Sequence, residues 1–312
     1  MRQNLENTPY WLKKRLSLSA DVFETKKILS GYSVNTVCES SLCPNLNECF
    51  SRRFATFLIL GKVCTRSCGF CCVERRAFPA PVDPDEPERI SAAAKELGLR
   101  HVIITSVTRD DLADGGAAQF VKSIEAAKRI SKGIKVEVLI PDFGAYMKSV
   151  ERVVKAGPDI FSHNIETVKR LYPAVRPVSD YSRSLRILSY AKEIAPDIVT
   201  KSAILVGLGE QRQEVIETME DLNTAGCSIV TLGQYLRPGH ENLPVKKFIT
   251  PEEFEHYKKA GERMGFKYVS AGPFVRSSYL ADQICGSPSL LELGNGNSGR
   301  FANRSKWKSL VA

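Results

Sequence analysis

From residue 54 onward, short runs rich in β-branched residues alternate with longer amphipathic stretches. Most of the short runs are too apolar to leave one face of a sheet in water, which is typical of parallel strands covered on both faces. Six stretches with helical periodicity separate them, and several of these end in glycine, the usual stop signal of a helix. The predicted strands span residues 54–60, 101–107, 134–140, 159–165, 198–207, 228–236 and 267–272.

Repeated β-α units predict a parallel sheet with right-handed crossovers. A doubly wound sheet and a full or partial TIM-type barrel both satisfy this pattern, and in both the chemistry lies at the carboxyl ends of the strands. Residues 1–50 do not follow the alternation and are expected to form an N-terminal extension on a barrel of residues 51–283. The segment GNGNSG predicts a linker within residues 284–312, followed by a flexible basic tail.

The start of the chain resembles neither a secretory signal nor a transit peptide. It lacks a sufficiently long apolar run, and it carries Glu6, Asp21 and Glu24. No stretch approaches eighteen consecutive apolar residues, so no membrane span is expected. We therefore expect a cytoplasmic, reducing compartment, where clustered cysteines bind metals or take part in catalysis more often than they form disulfides.

The formal charge of +9, from 44 basic and 35 acidic residues, suits nucleic acid, an acidic protein partner or an anionic cofactor. The basic residues are dispersed, apart from WLKKRL and the tail RFANRSKWKSL. A zinc-binding nucleic-acid module would need basic patches and paired CxxC motifs, and the sequence has neither. We expect no nucleic-acid partner.

Seven of the nine cysteines lie in the short stretch 38–72. Cys64, Cys68 and Cys71 form a C-x3-C-x2-C group just after the first predicted strand, and Cys72 offers a competing C-x3-C-x3-C register. Three thiolates on one short loop suit an iron–sulfur cluster whose fourth iron has no protein ligand and is open to a cofactor or substrate. A structural zinc site would instead require a fourth protein ligand.

The upstream group, Cys38, Cys43 and Cys49, has the spacing C-x4-C-x5-C and also lacks an obvious fourth ligand. The two groups can combine on one six-ligand site, or each can hold its own 4Fe–4S cluster. Zinc is a further alternative for the upstream group. We favour two separate clusters.

The C-x3-C-x-aromatic-C loop after a first strand resembles the signature of radical S-adenosylmethionine (SAM) enzymes. The upstream cysteine group resembles one branch of them, the lipoyl synthases. Further segments resemble lipoyl synthases in matching order over roughly residues 34–283, and the pattern departs at Gly69, Cys72 and Asn242, where proline, aspartate and histidine are expected. These segments are TSVTRDDLADGGA, FSHNIETVKRLYPAVRP, KSAILVGLGE, TLGQYLRPGHENLPVKKFITPEEF and AGPFVRSSYLAD.

The resemblance implies a partial TIM-type (β/α)6 barrel of the radical SAM type with extensions at both ends. It also implies insertion of two sulfur atoms, at carbons 6 and 8 of an octanoyl group bound to a carrier protein. The Cys64/Cys68/Cys71 cluster would bind SAM and cleave it to a 5′-deoxyadenosyl radical, which removes hydrogen from an unactivated carbon. The Cys38/Cys43/Cys49 cluster would be consumed as the sulfur source.

The resemblance also implies a serine ligand for the second cluster, from an RSSY motif that here occupies residues 276–279. We transfer this role to Ser278, with Ser277 as the alternative. A serine oxygen is a poor partner for iron–sulfur chemistry compared with a thiolate, so a releasable ligand suits a cluster that is taken apart.

Further polar residues near strand ends are candidates for SAM contacts. Asn164 and Glu166 are expected at the end of the fourth strand, facing the SAM ribose or amine, and Arg176 is expected to meet its carboxylate. Gly207 and Gly209 of the GLGE segment would line the adenine through backbone groups. The alternatives are a polar network that braces the barrel and a glycine turn that opens a helix.

Three remaining residues have structural interpretations. His163 is expected to be a core histidine with satisfied hydrogen bonds, and Cys227 a small buried apolar residue. Nothing near Cys285 in the sequence suggests a partner for it.

The expected partners follow from the resemblance. They are octanoylated lipoyl carrier domains, namely the acyltransferase component of 2-oxo-acid dehydrogenases and the glycine cleavage H protein, and an electron donor such as ferredoxin or flavodoxin. A basic rim around the barrel mouth would steer acidic carrier domains. The alternative function is another sulfur-inserting radical SAM enzyme, biotin-synthase-like or methylthiotransferase-like, which the upstream cysteines and RSSY segment disfavour.

Overall fold

The computed structural model describes residues 8–14 and 19–281. The predictions for Cys285, the GNGNSG linker and the basic tail lie outside these residues.

The main sheet contains eight strands in the order β1-β2-β5-β6-β7-β8-β9-β10. β1 runs antiparallel to β2, and the other seven strands are parallel to one another. Within the described residues the sheet does not close on itself, which confirms a partial barrel. The strands are β1 (Asn35–Thr36), β2 (Thr56–Ile59), β5 (His101–Ser106), β6 (Lys135–Leu139), β7 (Ile160–Ser162), β8 (Val199–Val206), β9 (Ile229–Gln234) and β10 (Tyr268–Gly272), and a separate pair comprises β3 (Val63–Cys64) and β4 (Glu74–Arg75).

Six helices connect successive parallel strands, so six β-α units are followed by a seventh parallel strand, β10. Every predicted strand and helix of this alternation is present. The six connecting helices are α4 (Glu86–Glu96), α5 (Ala117–Lys128), α6 (Met147–Lys155), α8 (Tyr181–Ile194), α9 (Arg212–Thr224) and α10 (Pro251–Met264). The remaining helices are α1 (Ala20–Gly31), α2 (Val37–Ser40), α3 (Leu46–Ser51) and α7 (Tyr172–Val175), with single 3-10 turns at Tyr10–Leu12, Phe143–Ala145 and Lys169–Leu171.

The apolar core lies mainly between the sheet and these helices. One cluster joins β2, β5 and β6 to α4, α5 and α6, and a second joins β8 and β9 to α8, α9 and α10. The N-terminal extension belongs to the first cluster through Val22, Leu29 and Phe50, and the Thr25 hydroxyl donates to the Phe50 carbonyl at 2.8 Å. Among the described residues, no helix is both long and apolar enough to cross a membrane.

A buried ion pair links two strands of the sheet. Lys201 Nζ on β8 lies 2.8 Å from Glu137 Oε1 on β6, and both side chains are at most 1% exposed. His101 Nε2 lies 3.5 Å from the other carboxylate oxygen, and the Ser162 hydroxyl donates to Oε1 at 3.1 Å. Because an unpaired charge at this depth costs several kcal/mol, these groups fix one another across the sheet.

Candidate active site

The downstream cysteine loop starts at the end of β3 and returns through β4. Cys64 Sγ accepts hydrogen bonds from the backbone N–H groups of Arg66 at 3.4 Å and Thr108 at 3.3 Å. Cys64, Cys68 and Cys71 are half-buried free thiols. The loop therefore places the Cys64 thiol beside the segment that follows β5.

Arg66, between the first two cysteines, fixes this loop to two other strand ends. Its guanidinium is 5% exposed and lies 2.7 Å from both Asp110, after β5, and Asp142, after β6. Its Nη1 also donates to the Ser179 hydroxyl at 3.3 Å. The sequence reasoning missed Arg66, although acidic residues directly after two strands were a usable signal.

The middle of the loop is held by backbone contacts. Gly69 donates its N–H to the Val175 carbonyl and accepts from the Leu243 N–H, both at 2.9 Å. The Asn242 amide donates to the Cys71 carbonyl at 2.8 Å and to the Gly69 carbonyl at 3.4 Å. Gly69 and Asn242, two departures from the family pattern, thus contact each other. The Gly69 N–H, which a proline would lack, donates the hydrogen bond to Val175.

Cys72 makes a hydrogen bond outside its own loop. Its thiol donates to the Ser40 carbonyl at 3.4 Å, on the upstream cysteine loop. Arg75 meanwhile donates to the carbonyls of Cys68, at 3.3 Å, and Cys71, at 2.9 Å. The two cysteine groups are therefore in direct contact, and the register Cys64, Cys68, Cys71 stays a prediction.

The upstream group occupies two short helices and the turn between them. Cys38 is buried in α2, Cys49 lies half-buried in α3, and Cys43 lies between the helices with its N–H bonded to the Cys38 carbonyl at 3.0 Å. Burial raises the pKa of the Cys38 and Cys49 thiols, and negative charge on Cys43 raises the pKa of both further. The three thiols thus face a common region.

Residues 273–281, which we call the RSSY segment, dock onto this upstream group. The Asn45 amide donates to the Phe274 carbonyl, and the Tyr279 hydroxyl donates to Glu48, both at 2.7 Å. Lys14 pairs with Glu48 and lies over the rings of Phe274 and Tyr279. These contacts attach the segment to the α2–α3 region on either side of its two serines.

The candidate SAM residues lie together beyond β7. This strand ends at Ser162, earlier than predicted, and the backbone turns through Glu166, whose φ is 65°. The Asn164 amide donates to Glu166 Oε1 at 2.9 Å, and Arg176 Nη1 donates to the Asn164 carbonyl at 2.9 Å. Asn164 Oδ1 accepts from the Ser277 hydroxyl at 3.3 Å, so these residues also contact the RSSY segment.

The glycines of the GLGE segment make a closed turn. Glu210 accepts from the backbone N–H groups of Gly207 and Leu208, and Gly207 also accepts from the Lys246 N–H at 2.8 Å. A side chain at position 207 would meet the Lys247 carbonyl at 2.5 Å. At Gly207 this geometry favours the structural alternative, a tight turn, whereas the Gly209 carbonyl accepts from exposed Arg170.

His163 and Cys227 are buried with satisfied polar groups. The two ring nitrogens of His163 lie 2.9 Å from the Ile140 carbonyl and 3.1 Å from the Ser184 hydroxyl. Burial lowers the pKa of His163 to about 4, so the ring is neutral at physiological pH. The Cys227 thiol donates to the Ile229 carbonyl at 3.1 Å.

The donor sets fit two iron–sulfur clusters. Burial raises the pKa of Cys38, Cys49 and Cys71 to about 12, so these three thiols stay protonated until a metal displaces the proton. In the described part of the chain, no group of three His, Cys, Asp or Glu side chains is close enough together to hold a single metal ion. A cluster has a different requirement, because each thiolate binds its own iron.

SAM also has suitable partners. Arg176 is 8% exposed, and its Nε has no hydrogen-bond partner. An orphaned guanidinium donor at this depth is costly unless a ligand satisfies it, and a carboxylate is the natural acceptor. The side chain lies close enough to Cys68 to oppose the rise in the pKa of that thiol, so a carboxylate bound there would lie beside the downstream cysteine loop.

Comparison with known proteins agrees with this geometry. The Radical SAM superfamily model matches residues 58–222. The lipoyl synthase of Caldanaerobacter subterraneus subsp. tengcongensis is 53% identical over 88% of this chain and 95% of its own length. The lipoyl synthase of Chlorobium limicola is 47% identical over 91% and 97%.

Among solved structures, methylornithine synthase shares the fold with a TM-score of 0.52 at 14% identity, covering 82% of this chain and 79% of that one. The two lipoyl synthases cover nearly the whole of this chain at about half identity. The chain therefore belongs to the lipoyl synthase family of radical SAM enzymes.

Proposed function

We propose that each cysteine group of this chain holds its own 4Fe–4S cluster for the insertion of sulfur at carbons 6 and 8 of a protein-bound octanoyl group. Cys64, Cys68 and Cys71 would leave one iron open to SAM, and Cys38, Cys43 and Cys49 would share the second cluster with Ser278. The observation that supports this most directly is the contact between the two cysteine loops, where Cys72 meets Ser40.

The two groups supply different chemistry. When bound, the first cluster with SAM supplies radical activation of an unactivated carbon, and the second supplies sulfur. Because both act on each of the two substrate carbons, they must open onto a common space. The contacts of the RSSY segment with Glu48 and with Asn164 support such a shared space.

The chain's own polar groups then orient SAM. Arg176 Nε would donate to the carboxylate of SAM, and the carboxylate of Glu166 would accept from its amine or ribose. Burial raises the pKa of Glu166, but Arg176 and the Asn164 amide oppose this rise and favour the charged form. Arg176 is itself held by Asn164 and by the Tyr172 hydroxyl, at 3.1 Å, so its position is fixed before SAM binds.

Ser278 is preferred over Ser277 as the fourth ligand of the second cluster. The Ser277 hydroxyl donates to Asn164, on the side of the first site. Ser278→Ala should therefore lower the iron retained by the second cluster, while Ser277→Ala should leave the iron content unchanged. Ser278→Cys that keeps full turnover would argue against a releasable oxygen ligand.

The carrier and the reductant follow from the family. We propose octanoylated lipoyl carrier domains as the substrate, with the acyltransferase component of 2-oxo-acid dehydrogenases and the glycine cleavage H protein as the specific carriers. A ferredoxin or flavodoxin would supply electrons, in the cytoplasm. If a basic surface steers an acidic carrier, binding should weaken steeply as salt increases.

The first experiment is elemental analysis of anaerobically reconstituted protein for iron, sulfide and zinc. Two clusters predict about eight irons and eight sulfides per chain. Cys64→Ser and Cys38→Ser should each lose about half of the iron, each from a different cluster. Zinc in place of iron, or about four irons in total, would contradict the assignment of two clusters.

A further inference from the structure

The RSSY segment contacts both sites, and this follows from its path past β9. A Cβ added at Gly233, on β9, would lie 2.0 Å from the Val275 carbonyl and 3.0 Å from Arg276 Nη1. The segment therefore packs directly on the backbone of the strand. It has no room to move further toward β9.

Contacts on either side of the two serines attach the segment to the upstream cysteine group. Asn45 holds the Phe274 carbonyl before the serines, and Glu48 accepts from Tyr279 after them. Because Asn45 and Glu48 lie between Cys43 and Cys49, a shift of the segment is transmitted to the loop that carries these thiols.

Between these two attachments, the segment turns to the candidate SAM residues. The Ser277 hydroxyl donates to Asn164 Oδ1 at 3.3 Å, and the amide of the same Asn164 side chain donates to Glu166. Burial lowers the pKa of Arg276, next to Ser277, and nearby negative charge on Cys43 and Glu166 opposes this fall. Asn164 is thus the group through which the segment meets the first site.

We infer that Ser277 is a positioning residue whose hydrogen bond to Asn164 couples SAM binding to the coordination of the second cluster by Ser278. The inference rests on the proposed function, because it assigns SAM to Asn164 and Glu166 and the cluster to Ser278. Bound SAM would fix the orientation of Asn164 and so strengthen its bond to Ser277. Ser278, one peptide away, would then be held in place for as long as SAM is bound.

Thermodynamic reciprocity makes this coupling measurable from the SAM side. If SAM favours the position of Ser278 that binds the cluster, the cluster must favour SAM binding by the same factor. A single hydrogen bond that transmits the coupling predicts a factor of roughly five. The measured quantity is the dissociation constant of SAM, by anaerobic equilibrium dialysis with the clusters oxidised so that SAM is not cleaved.

The experiment compares proteins with and without the second cluster, on two backgrounds. The second cluster is removed by a triple variant, Cys38→Ala with Cys43→Ala and Cys49→Ala. This removal should weaken SAM binding roughly fivefold when Ser277 is present. On the Ser277→Ala background the same removal should change the constant less than about twofold. If the triple variant does not fold, Ser278→Ala serves as the perturbation of the second cluster.

Two controls separate positioning from a general structural effect. The ratio compared is the dissociation constant of SAM without the second cluster divided by that with it. Ser277→Thr keeps a hydroxyl and should preserve the fivefold ratio. Ser270→Ala, on β10 outside the segment, should preserve it too. An equal ratio with and without Ser277, on proteins with the expected iron contents, would overturn the inference alone. A triple variant that still holds about eight irons would overturn the proposed cluster assignment as well.

Discussion

Arg66 provides the most quantitative test of how the downstream cysteine loop is held. Its guanidinium is nearly buried between Asp110 and Asp142, and Asp142 is fully buried with a further bond from Arg183 at 3.1 Å. Burial alone would raise the pKa of Asp142, but the hydrogen bond and charge of Arg66 outweigh it and hold the pKa at about 2. The pair therefore contributes to stability at neutral pH.

The expected magnitude follows from this shift. The pKa of Asp142 falls from 3.8 to about 2. At 1.36 kcal/mol per unit, this corresponds to about 2.5 kcal/mol. Removing one partner of a buried pair costs about 3–5 kcal/mol, and the remaining Arg183 favours the lower end of that range. Arg66→Met should therefore lower the free energy of unfolding by about 3 kcal/mol at neutral pH.

The assay is urea unfolding of iron-free protein, followed by far-ultraviolet circular dichroism at about pH 7 and about pH 3. The folded pKa of Asp142 lies below its unfolded value, so its stabilisation is complete above about pH 4 and is lost as the pH falls through about 2. The difference between wild type and Arg66→Met should therefore be smaller at the lower pH.

Arg76→Met is the matched control, because this arginine follows the same loop but pairs with Glu74 at the surface, with 69% of its side chain exposed. It should change stability by less than about 0.5 kcal/mol. The account of Asp142 would be refuted if Arg66→Met lowered the free energy of unfolding by no more than the control does. It would also be refuted if the loss were the same at both pH values.

Three further outcomes are expected. Cys72→Ser should retain all the iron of the wild type, while Cys71→Ser should lose about half of it; the reverse result would establish the competing register. Asn242→Ala removes the donor to the Cys71 carbonyl, so it should destabilise the loop by about 1 kcal/mol and speed loss of iron in air, measured by absorbance near 400 nm. Gly233→Ala should displace the carbonyl of Val275 and lower the iron content by up to about half through the second cluster, and an unchanged content would show that the segment can shift.

The strands and helices of the barrel could be predicted because burial on both faces selects a distinct composition. In the run at 101–107, five of the seven residues are β-branched, and the run forms β5, with five of the six strand residues buried. The exact ends were less predictable. The fourth strand stops at Ser162, and the chain then turns through Glu166 in a left-handed conformation that nothing in the local composition requires.

The cysteines of the candidate site were recognisable because their spacing is local, whereas the groups that hold them are distant in sequence. Asn242 is 171 residues from Cys71, and Tyr279 is 231 residues from Glu48. Such pairs depend on which strand ends are neighbours and on how far each side chain reaches. A polar residue after a strand can be noted from the sequence, but its partner cannot be chosen without the fold.

Two buried arginines lie beside the downstream cysteine loop, in addition to its backbone and apolar contacts. Arg66 and Arg176 are both nearly buried, and each opposes the rise in the pKa of Cys68 that burial causes. Three thiolates around an iron–sulfur cluster bring negative charge into a region of low dielectric, where it is stable only beside compensating positive groups. His163 is held neutral beside them, so it adds no further positive charge. The charge of Arg66 is already matched by Asp110 and Asp142, so the fixed guanidinium of Arg176 is the one with a donor left to offer an anionic ligand at this loop.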